Sequence, residues 1–303
     1  MDKYKQILNY IFQSAWAMHI DKLDGIMAIM QAHGSGLFVD SKLVNELKAE
    51  HEQRRKVNKS DSIGIIPIFG MLAQKMNMFM EISGGTSTEM TGNMIDALVE
   101  DESIKAIILD IDSGGGEVAG VEALSDKIFQ ARETKPIIAV ANSFAASGAY
   151  WIASAATEVV AAPGSIIGSI GVYMMHREES EKLSSEGIKY TIIKAGENKA
   201  ETNPVEPLTD TAKANLQSLV DSAYGAFTAS LARNRNTSVA KVLKSFGQGT
   251  VFHPEQAQER NMIDRVATLQ QVLDGQAQVI EAKATSAVQV KQMRLKMESH
   301  LLN

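Results

Sequence analysis

The sequence predicts an α/β fold, because short apolar runs rich in β-branched residues alternate with segments that carry apolar residues at helical spacing. "SIGIIPIFG" at residues 62–70 is a strand-like run that ends in glycine. "IKAIILDIDSGGG" at 104–116 is a second buried run that leads into a glycine loop. Between them, residues 87–103 place Met, Ile and Leu on one helix face. This alternation alone does not distinguish one α/β architecture, such as a doubly wound sheet, from another.

The pattern continues with an amphipathic helix over 121–135 and a strand over 136–142. Further strands and helices follow up to about residue 195, and residues 209–235 predict a helix with Leu216, Leu219, Val220, Ala223, Phe227 and Leu231 on one face.

The two ends of the chain differ from this middle region. Residues 1–36 are interpreted as helical, residues 37–60 as a charged, exposed segment, and residues 284–303 as a loose basic tail. We therefore expect three parts: an N-terminal helical extension and linker (1–60), a central domain (61–272), and a C-terminal helix with a loose tail (273–303).

Composition excludes several classes of function. The 303 residues carry a formal net charge of −6, which gives no general attraction to nucleic acid or to an anionic membrane. There is no cysteine, so disulfides, thiolate catalysis and cysteine-ligated metals are excluded. His, Asp and Glu show no metal-ligand spacing, and no apolar run approaches the roughly 20 residues of a membrane span. We expect a protein of the cytoplasm without metal, cofactor, export signal or membrane span.

The glycine loop "DSGGGEVAG" at 112–120 stands between a strand and a helix. Backbone amides at such a junction point outward and can hold a phosphate or a developing oxyanion. The loop lacks the spacing of the known phosphate-binding motifs, so phosphate is weakly supported. A tight turn with close helix packing is an equal alternative.

Ser147 lies in "ANSFAASGAYWIASAA" at 141–156, where a strand gives way to a helix. Its neighbours Ala146 and Gly148 are small, which would let a peptide carbonyl approach the hydroxyl, and the Gly148 amide is placed to stabilise an oxyanion. The motif is not G-x-S-x-G, and for an isolated serine an ordinary helix N-cap is the commoner role.

A nucleophilic serine needs a base. His176 and His253 are conceivable bases, but neither has a recognisable setting. Lys199, in the loop "IIKAGENKAETNPVEP" at 192–207 after an expected strand, could serve if burial lowered its pKa. Ser169, in "GSIIGSIGVY" at 164–173, adds a hydroxyl on a glycine-flanked strand.

Taken together, these segments resemble the S49 serine peptidases, which include the signal peptide peptidase A enzymes and the phage capsid-assembly proteases. The resemblance runs in order through "IGIIPIFG", "IKAIILDIDSGGGEVAG", "ANSFAASGAYWIASAA", "PGSIIGSIGVY", "IKAGENKAETNPVEPLT" and "GQGTVFHPEQAQERNMID", from about residue 62 to 270. Asp112-Ser113 replaces the Ser-Pro that is usual before the glycines.

The resemblance implies Ser147 as nucleophile, Lys199 as general base and Ser169 as a residue that orients the lysine. It implies an oxyanion hole made by Gly114 or Gly115 together with Gly148. It also implies a crotonase-like (Clp-like) spiral of β-β-α units and assembly into a homo-oligomer.

The opening "YIFQSAWAMHIDKLDGIMAIM" is similar to the N-terminal extension of phage-type members and favours a phage or prophage head-maturation protease. Its polypeptide substrates would be capsid, scaffold or portal proteins, cut in the host cytoplasm or inside proheads. Alternatives left open are a cytoplasmic signal-peptide-peptidase-like enzyme, a crotonase-type acyl-CoA enzyme and a catalytically silent assembly protein.

Overall fold

The computed structural model describes residues 14–19, 41–60, 62–76 and 84–301. The helices in these ranges are α1 (Ser41–Arg54), α2 (Thr88–Glu100), α3 (Val121–Ala131), α4 (Gly148–Ser154), α5 (Ser180–Ser185), α6 (Asp210–Asn234), α7 (Val239–Ser245), α8 (Pro254–Glu259) and α9 (Leu269–Leu301). The strands are β1 (Trp16–Met18), β2 (Asn58–Ser60), β3 (Ile63–Phe69), β4 (Met71–Ala73), β5 (Gly85–Ser87), β6 (Ala106–Ser113), β7 (Gly115–Glu117), β8 (Ile137–Ala146), β9 (Glu158–Ala161), β10 (Ile166–Gly168), β11 (Val251–Phe252) and β12 (Arg265–Val266).

The larger sheet has the strand order β11-β10-β8-β6-β3-β2. Its central strands β3, β6 and β8 are parallel, with helices α2 and α3 as the crossovers. β8 pairs in its first half with β9 and in its last three residues with β10. The end of β8 therefore separates from β9 and reaches a different neighbour just before Ser147.

Both faces of this sheet are covered, which explains why its strands are continuous apolar runs rather than alternating ones. Along β6, Ile107, Leu109 and Ile111 lie in one core with side chains of α2 and α3. Ala106 and Ile108 face the other way, into a second core that contains Val272 of α9. Because strand side chains alternate between faces, one apolar run fills both cores.

A smaller sheet, ordered β1-β7-β4-β5, lies beside the carboxyl ends of β3 and β6. β7 is formed by the glycine loop, and β1 pairs with it in antiparallel fashion. The predicted α/β fold is thus confirmed, and the predicted glycine loop forms a strand of its own.

Three local predictions were wrong. Residues 16–18 form a strand instead of part of a helix, because their backbone pairs with β7. Of the other residues in 1–36, only 14, 15 and 19 are among the described residues. The strand expected before Lys199 is not formed. Residues 284–301, expected to be loose, continue the helix α9.

Helix α6 matches the predicted range, but its apolar face is only partly covered. Phe227 and Leu231 are buried, whereas Leu219 is 59% exposed. In the described part of the chain, no helix is long and apolar enough to cross a membrane. The division into three parts at residues 60 and 272 stays a prediction.

Candidate active site

Ser147 stands at the junction predicted from the sequence, between the end of β8 and the start of α4. Its backbone has φ 54° and ψ −123°, a conformation that L-residues adopt rarely and at a cost of about 1–3 kcal/mol. Two backbone bonds hold it there: its N–H donates to the Gly168 carbonyl at 2.6 Å, and its carbonyl accepts from the Trp151 N–H at 2.9 Å. Strain held by surrounding structure is typical of functional residues.

The Ser147 hydroxyl does not cap helix α4. It donates instead to the Gly171 carbonyl oxygen at a long 3.5 Å, and the residue is only 1% exposed. The N-cap alternative raised by the sequence is therefore not the role of this side chain. Its neighbours Ala146 and Gly148 are also buried, and neither carries a side chain larger than a methyl group.

Helix α4 is fixed behind Ser147 by large buried side chains. The Tyr150 hydroxyl donates to the Met262 carbonyl at 2.8 Å, and burial raises the pKa of this phenol, so it stays protonated. Trp151 stacks on Phe227 of α6 with ring centroids 4.4 Å apart. Every residue of α4 is buried, so the Gly148 amide at its start has a fixed position.

The glycine loop lies directly against this junction. Gly115 has φ 95°, and a Cβ built on it would lie 2.9 Å from the Gly148 nitrogen. Gly115 and Gly148 are thus brought together. Gly114 contributes a carbonyl that accepts from the His19 N–H at 2.9 Å.

The third glycine of the loop, Gly116, lies too close to a neighbouring strand to carry a side chain. A Cβ on Gly116 would lie 1.9 Å from the Leu72 carbonyl oxygen of β4, so only glycine fits between the strands. Ser113 closes the turn by donating its hydroxyl to the Gly70 carbonyl at 2.6 Å and accepting from the Gly115 N–H at 3.2 Å. The glycines serve close backbone approach, as the alternative of a tight turn with close packing predicts, and the same approach brings Gly115 against Gly148.

Ser169 follows Gly168, the residue that holds Ser147, and so lies on the same side of the junction. It also has φ 54°, and its N–H donates to the Thr250 carbonyl at 2.9 Å. It is 8% exposed, and within the described ranges its hydroxyl makes no hydrogen bond. The residue is buried beside the candidate nucleophile with an uncommitted hydroxyl.

Lys199 is not brought to Ser147. It is exposed, in a segment (188–206) without helix or strand, and its backbone N–H donates to the Gly196 carbonyl at 3.1 Å. Across the residues that the structure describes, its amine makes no hydrogen bond or ion pair. Nearby apolar side chains are also uncovered: Ile193 is 95% exposed and Tyr190 58%.

Neither candidate histidine contacts Ser147. His176 lines a cleft of about 780 Å³ together with Lys182, Tyr190 and other residues of the segment 188–206 that contains Lys199, called here the lysine segment. His253 stands before α8, where its backbone N–H donates to Gln256 Oε1 at 3.4 Å. In the described ranges, no group of three or more His, Asp or Glu side chains could hold a metal ion.

One component of the site was missed from the sequence. Strand β1 lies against the glycine loop, and its residue Ala17 comes next to both Gly115 and Gly148. The signal available was weak: a three-residue strand is too short for a period-two pattern, and the flanking apolar residues suggested a helix.

Sequence comparison connects this geometry to known proteins. The profile of peptidase family S49 matches residues 130–283, half of the chain, including Ser147, Ser169 and Lys199. A candidate protease of Methanocaldococcus jannaschii is 34% identical over 60% of this chain and 58% of its own length. A candidate protease of Synechocystis is 31% identical over 62% of this chain and 69% of its own length.

Phage proteins are also similar. The capsid assembly protease C of Escherichia phage lambda is 28% identical over 71% of this chain, and the chain spans 48% of that protein. Among solved structures, a mutant of the 1510-N membrane-bound stomatin-specific protease with a substrate peptide aligns over 72% of this chain and 80% of its own, at 18% identity and a TM-score of 0.45. A mutant of ClpP1 from Listeria monocytogenes aligns with 12% identity and a TM-score of 0.43, over 74% and 96% of the two chains. On the match to the family profile and the identity to these relatives, the chain belongs to peptidase family S49.

Proposed function

We propose that this chain is a serine endopeptidase in which Ser147 is the nucleophile and Lys199 the general base. The observation that carries the proposal is the junction of β8 and α4, where Ser147 is held at φ 54° beside the Gly115 and Gly148 backbone. Membership of peptidase family S49 supports the same reaction class. No cofactor takes part.

The reaction follows acyl transfer in two halves. Neutral Lys199 removes the proton of the Ser147 hydroxyl as Oγ forms a bond to the peptide carbonyl carbon. The protonated lysine then gives its proton to the leaving amine as the C–N bond breaks, which leaves an acyl-enzyme. The lysine next removes a proton from water as the water oxygen bonds to the acyl carbon. It returns that proton to Ser147 Oγ as the ester C–O bond breaks, which releases the carboxylic acid product and restores the serine.

The negative charge on the carbonyl oxygen needs hydrogen-bond donors already in place. The Gly148 amide, at the start of buried helix α4, and an amide of the adjacent glycine loop, from Gly114 or Gly115, are our candidates. The Gly115 N–H donates to the Ser113 hydroxyl at 3.2 Å and would have to leave that bond to serve, whereas the bond that fixes Gly114 uses its carbonyl, which accepts from the His19 N–H. Ser169, buried with an uncommitted hydroxyl, is proposed to accept a hydrogen bond from the Lys199 amine and so orient it.

The dyad requires Lys199 to leave the exposed position it has in the single chain. Exposed apolar side chains at Ile193 and Tyr190, in the same segment, favour a second surface that covers this segment and carries the lysine with it. A second copy of the chain is our proposed source of that surface, so the active form would be a homo-oligomer.

We further propose that the substrates are proteins of a phage head, cut during assembly in the host cytoplasm. The support is the similarity to the capsid assembly protease C of phage lambda and to the head-tail preconnector protein GP5 of Enterobacteria phage P21, which is 29% identical over 68% of this chain and 41% of its own length. Incubation of the purified chain with candidate capsid, scaffold and portal proteins, followed by mass spectrometry of new termini, tests the substrate class. New termini in unrelated unfolded proteins at an equal rate would argue for general peptide degradation instead.

The dyad itself is tested with an unfolded protein substrate. Ser147→Ala and Lys199→Ala should each reduce kcat at least thousandfold, as loss of a nucleophile or its base does. Matched controls are Ser143→Ala, an exposed serine on the same strand, and Lys194→Ala, an exposed lysine on the same segment. Both controls should retain activity. Full activity in either dyad variant would overturn the assignment.

A further inference from the structure

The N-terminal strand β1 occupies the edge of the glycine loop where the proposed endopeptidase would bind its substrate. An extended substrate is recognised by adding a strand to a free sheet edge. In this structure the edge of β7 is not free: Trp16, Ala17 and Met18 pair with Glu117, Gly116 and Gly115 in antiparallel register.

The hydrogen bonds of this segment are those of a fully docked strand. The Val118 N–H donates to the Ala15 carbonyl at 3.0 Å, and the His19 N–H donates to the Gly114 carbonyl at 2.9 Å. Because hydrogen-bonded pairs alternate along an antiparallel ladder, Ala17 and Gly116 form the pair between them. On its other edge, Trp16 exchanges two backbone bonds with Tyr173, at 2.9 and 3.0 Å. The strand is therefore held between two pieces of backbone.

The Ala17 carbonyl oxygen lies close to two glycines of the candidate active site. A Cβ on Gly115 would lie 2.2 Å from this oxygen, and a Cβ on Gly148 would lie 3.1 Å from it. The oxygen thus lies beside two of the glycines proposed for the oxyanion hole. Ala17 is therefore the residue of this strand that lies against the glycines of the site, and Trp16 and Ala17 are fully buried there.

We propose that residues 15–19 are an intramolecular ligand of the substrate groove, so that a polypeptide reaches Ser147 only after this arm is displaced. The inference rests on the proposed function for the identity of the groove. The occupant is named by the structure itself: it is the chain's own segment, with a small residue against the glycines of the site and an aromatic residue before it.

The absence of cysteine from the chain allows a reversible test in the full-length protein. Ala15 and Val118 are half-buried and hydrogen-bonded across the ladder, a pair whose Cα atoms lie about 5.5 Å apart, within the range of a disulfide. The double variant Ala15→Cys/Val118→Cys therefore locks the arm on oxidation and leaves Trp16, Ala17 and Met18 intact. The single variant Ala15→Cys, treated with the same oxidant, is the matched control.

The first readout is binding, which does not require catalysis. A fluorescent peptide with the sequence of residues 14–19 is titrated into the double variant carrying Ser147→Ala, and anisotropy is followed. In the reduced form the tethered arm can leave the groove, and the peptide competes with it for the free site. In the oxidised form the disulfide keeps the arm in the groove, so this form should bind the peptide at least about tenfold more weakly than the reduced form. Equal binding by both forms, with the disulfide verified by mass spectrometry, would overturn the proposal.

The second readout is cleavage of an unfolded protein by the double variant with Ser147 present. Oxidation should lower the rate at least about tenfold and reductant should restore it, while the single variant is unaffected. If no form cleaves any substrate but peptide binding still depends on the lock, the peptidase proposal fails and the arm remains the ligand of the groove. If cleavage proceeds equally in both forms, the peptidase stands and the arm does not block it.

Discussion

The backbone N–H of Ser147 donates to the carbonyl oxygen of Gly168 at 2.6 Å, and this bond joins the ends of the parallel strands β8 and β10. It holds Ser147 in a conformation with positive φ that the chain would otherwise avoid. The side chain that this geometry presents is the one on which the proposed chemistry depends. Stability and function at this residue should therefore be separable by substitution.

We expect Ser147→Gly to raise the free energy of unfolding by about 1 kcal/mol. Glycine adopts this backbone conformation without strain, and this gain is only partly offset by the larger conformational entropy of glycine in the unfolded chain. Ser147→Ala keeps the strain and should change stability little. Both should be inactive. Urea denaturation of the three proteins measures the difference, and equal stability of the glycine and alanine variants would show that the backbone here is not strained.

The strands and helices that could be predicted from the sequence are those in which the pattern of apolar residues matches the buried positions along the whole element. "IKAIILD" fills two cores at once, and its predicted strand is β6. Ser147 was predicted at its junction because an apolar run, small residues and a second apolar run meet there. In both cases the local sequence and the tertiary contacts agree.

The features that could not be predicted depend on partners far away in the sequence. β1 is a strand only because the glycine loop offers it an edge about a hundred residues later. Residues 188–194 are apolar enough for a strand, but no neighbour pairs with them in the described single chain, and Ile193 stays exposed. In our proposal a second copy of the chain supplies that neighbour and positions Lys199, so the distance from Lys199 to Ser147 does not follow from the sequence.

The oxyanion hole can be tested at Gly115. Gly115→Ala would place a methyl group 2.2 Å from the Ala17 oxygen and 2.9 Å from the Gly148 nitrogen, at φ 95°. We expect kcat/KM for an unfolded protein substrate to fall at least hundredfold, comparable to the loss of an oxyanion donor.

The matched control for this change is Gly164→Ala. Gly164 also has positive φ, 80°, but a Cβ there would meet nothing within 4 Å. It should cost about 1 kcal/mol of stability from backbone strain and leave kcat/KM unchanged. Loss of activity in both variants would assign the effect to destabilisation and not to the oxyanion hole.

The proposed oligomer can be tested at Ile193, which is 95% exposed in the single chain. Ile193→Asp would place a charge in the surface that covers the lysine segment, so we expect a smaller assembly by light scattering and lower peptidase activity. Val239→Asp makes the same charge change at an exposed apolar residue of α7, outside the segment 188–206, and is the control. A wild-type chain that is monomeric and fully active would contradict the proposal.

Arg235 and Asp264 allow a prediction about stability and pH. The Arg235 side chain, 9% exposed, donates to both carboxylate oxygens of Asp264, at 2.7 and 3.0 Å, and the Val159 N–H donates to the same carboxylate at 2.7 Å. Burial alone raises the pKa of Asp264, but these hydrogen bonds outweigh it, and the pKa in the folded protein lies below its ordinary value. The carboxylate therefore contributes stability above the unfolded pKa of about 3.9, and the contribution is lost as the pH falls through the lower folded pKa.

We expect Asp264→Asn to lower the free energy of unfolding near neutral pH by about 2 kcal/mol, the range of hydrogen bonds to charged groups. The difference from the wild type should begin to shrink as the pH falls below about 4, where the unfolded carboxylate takes up a proton, and should be lost only below the lower pKa of the folded protein. Asp96→Asn, which removes an exposed ion pair with Lys127, is the control and should cost less than about 0.5 kcal/mol. Urea denaturation from neutral pH to about 3 measures both, and a difference at Asp264 that stays constant across this range would show that its ionisation is not what stabilises the fold.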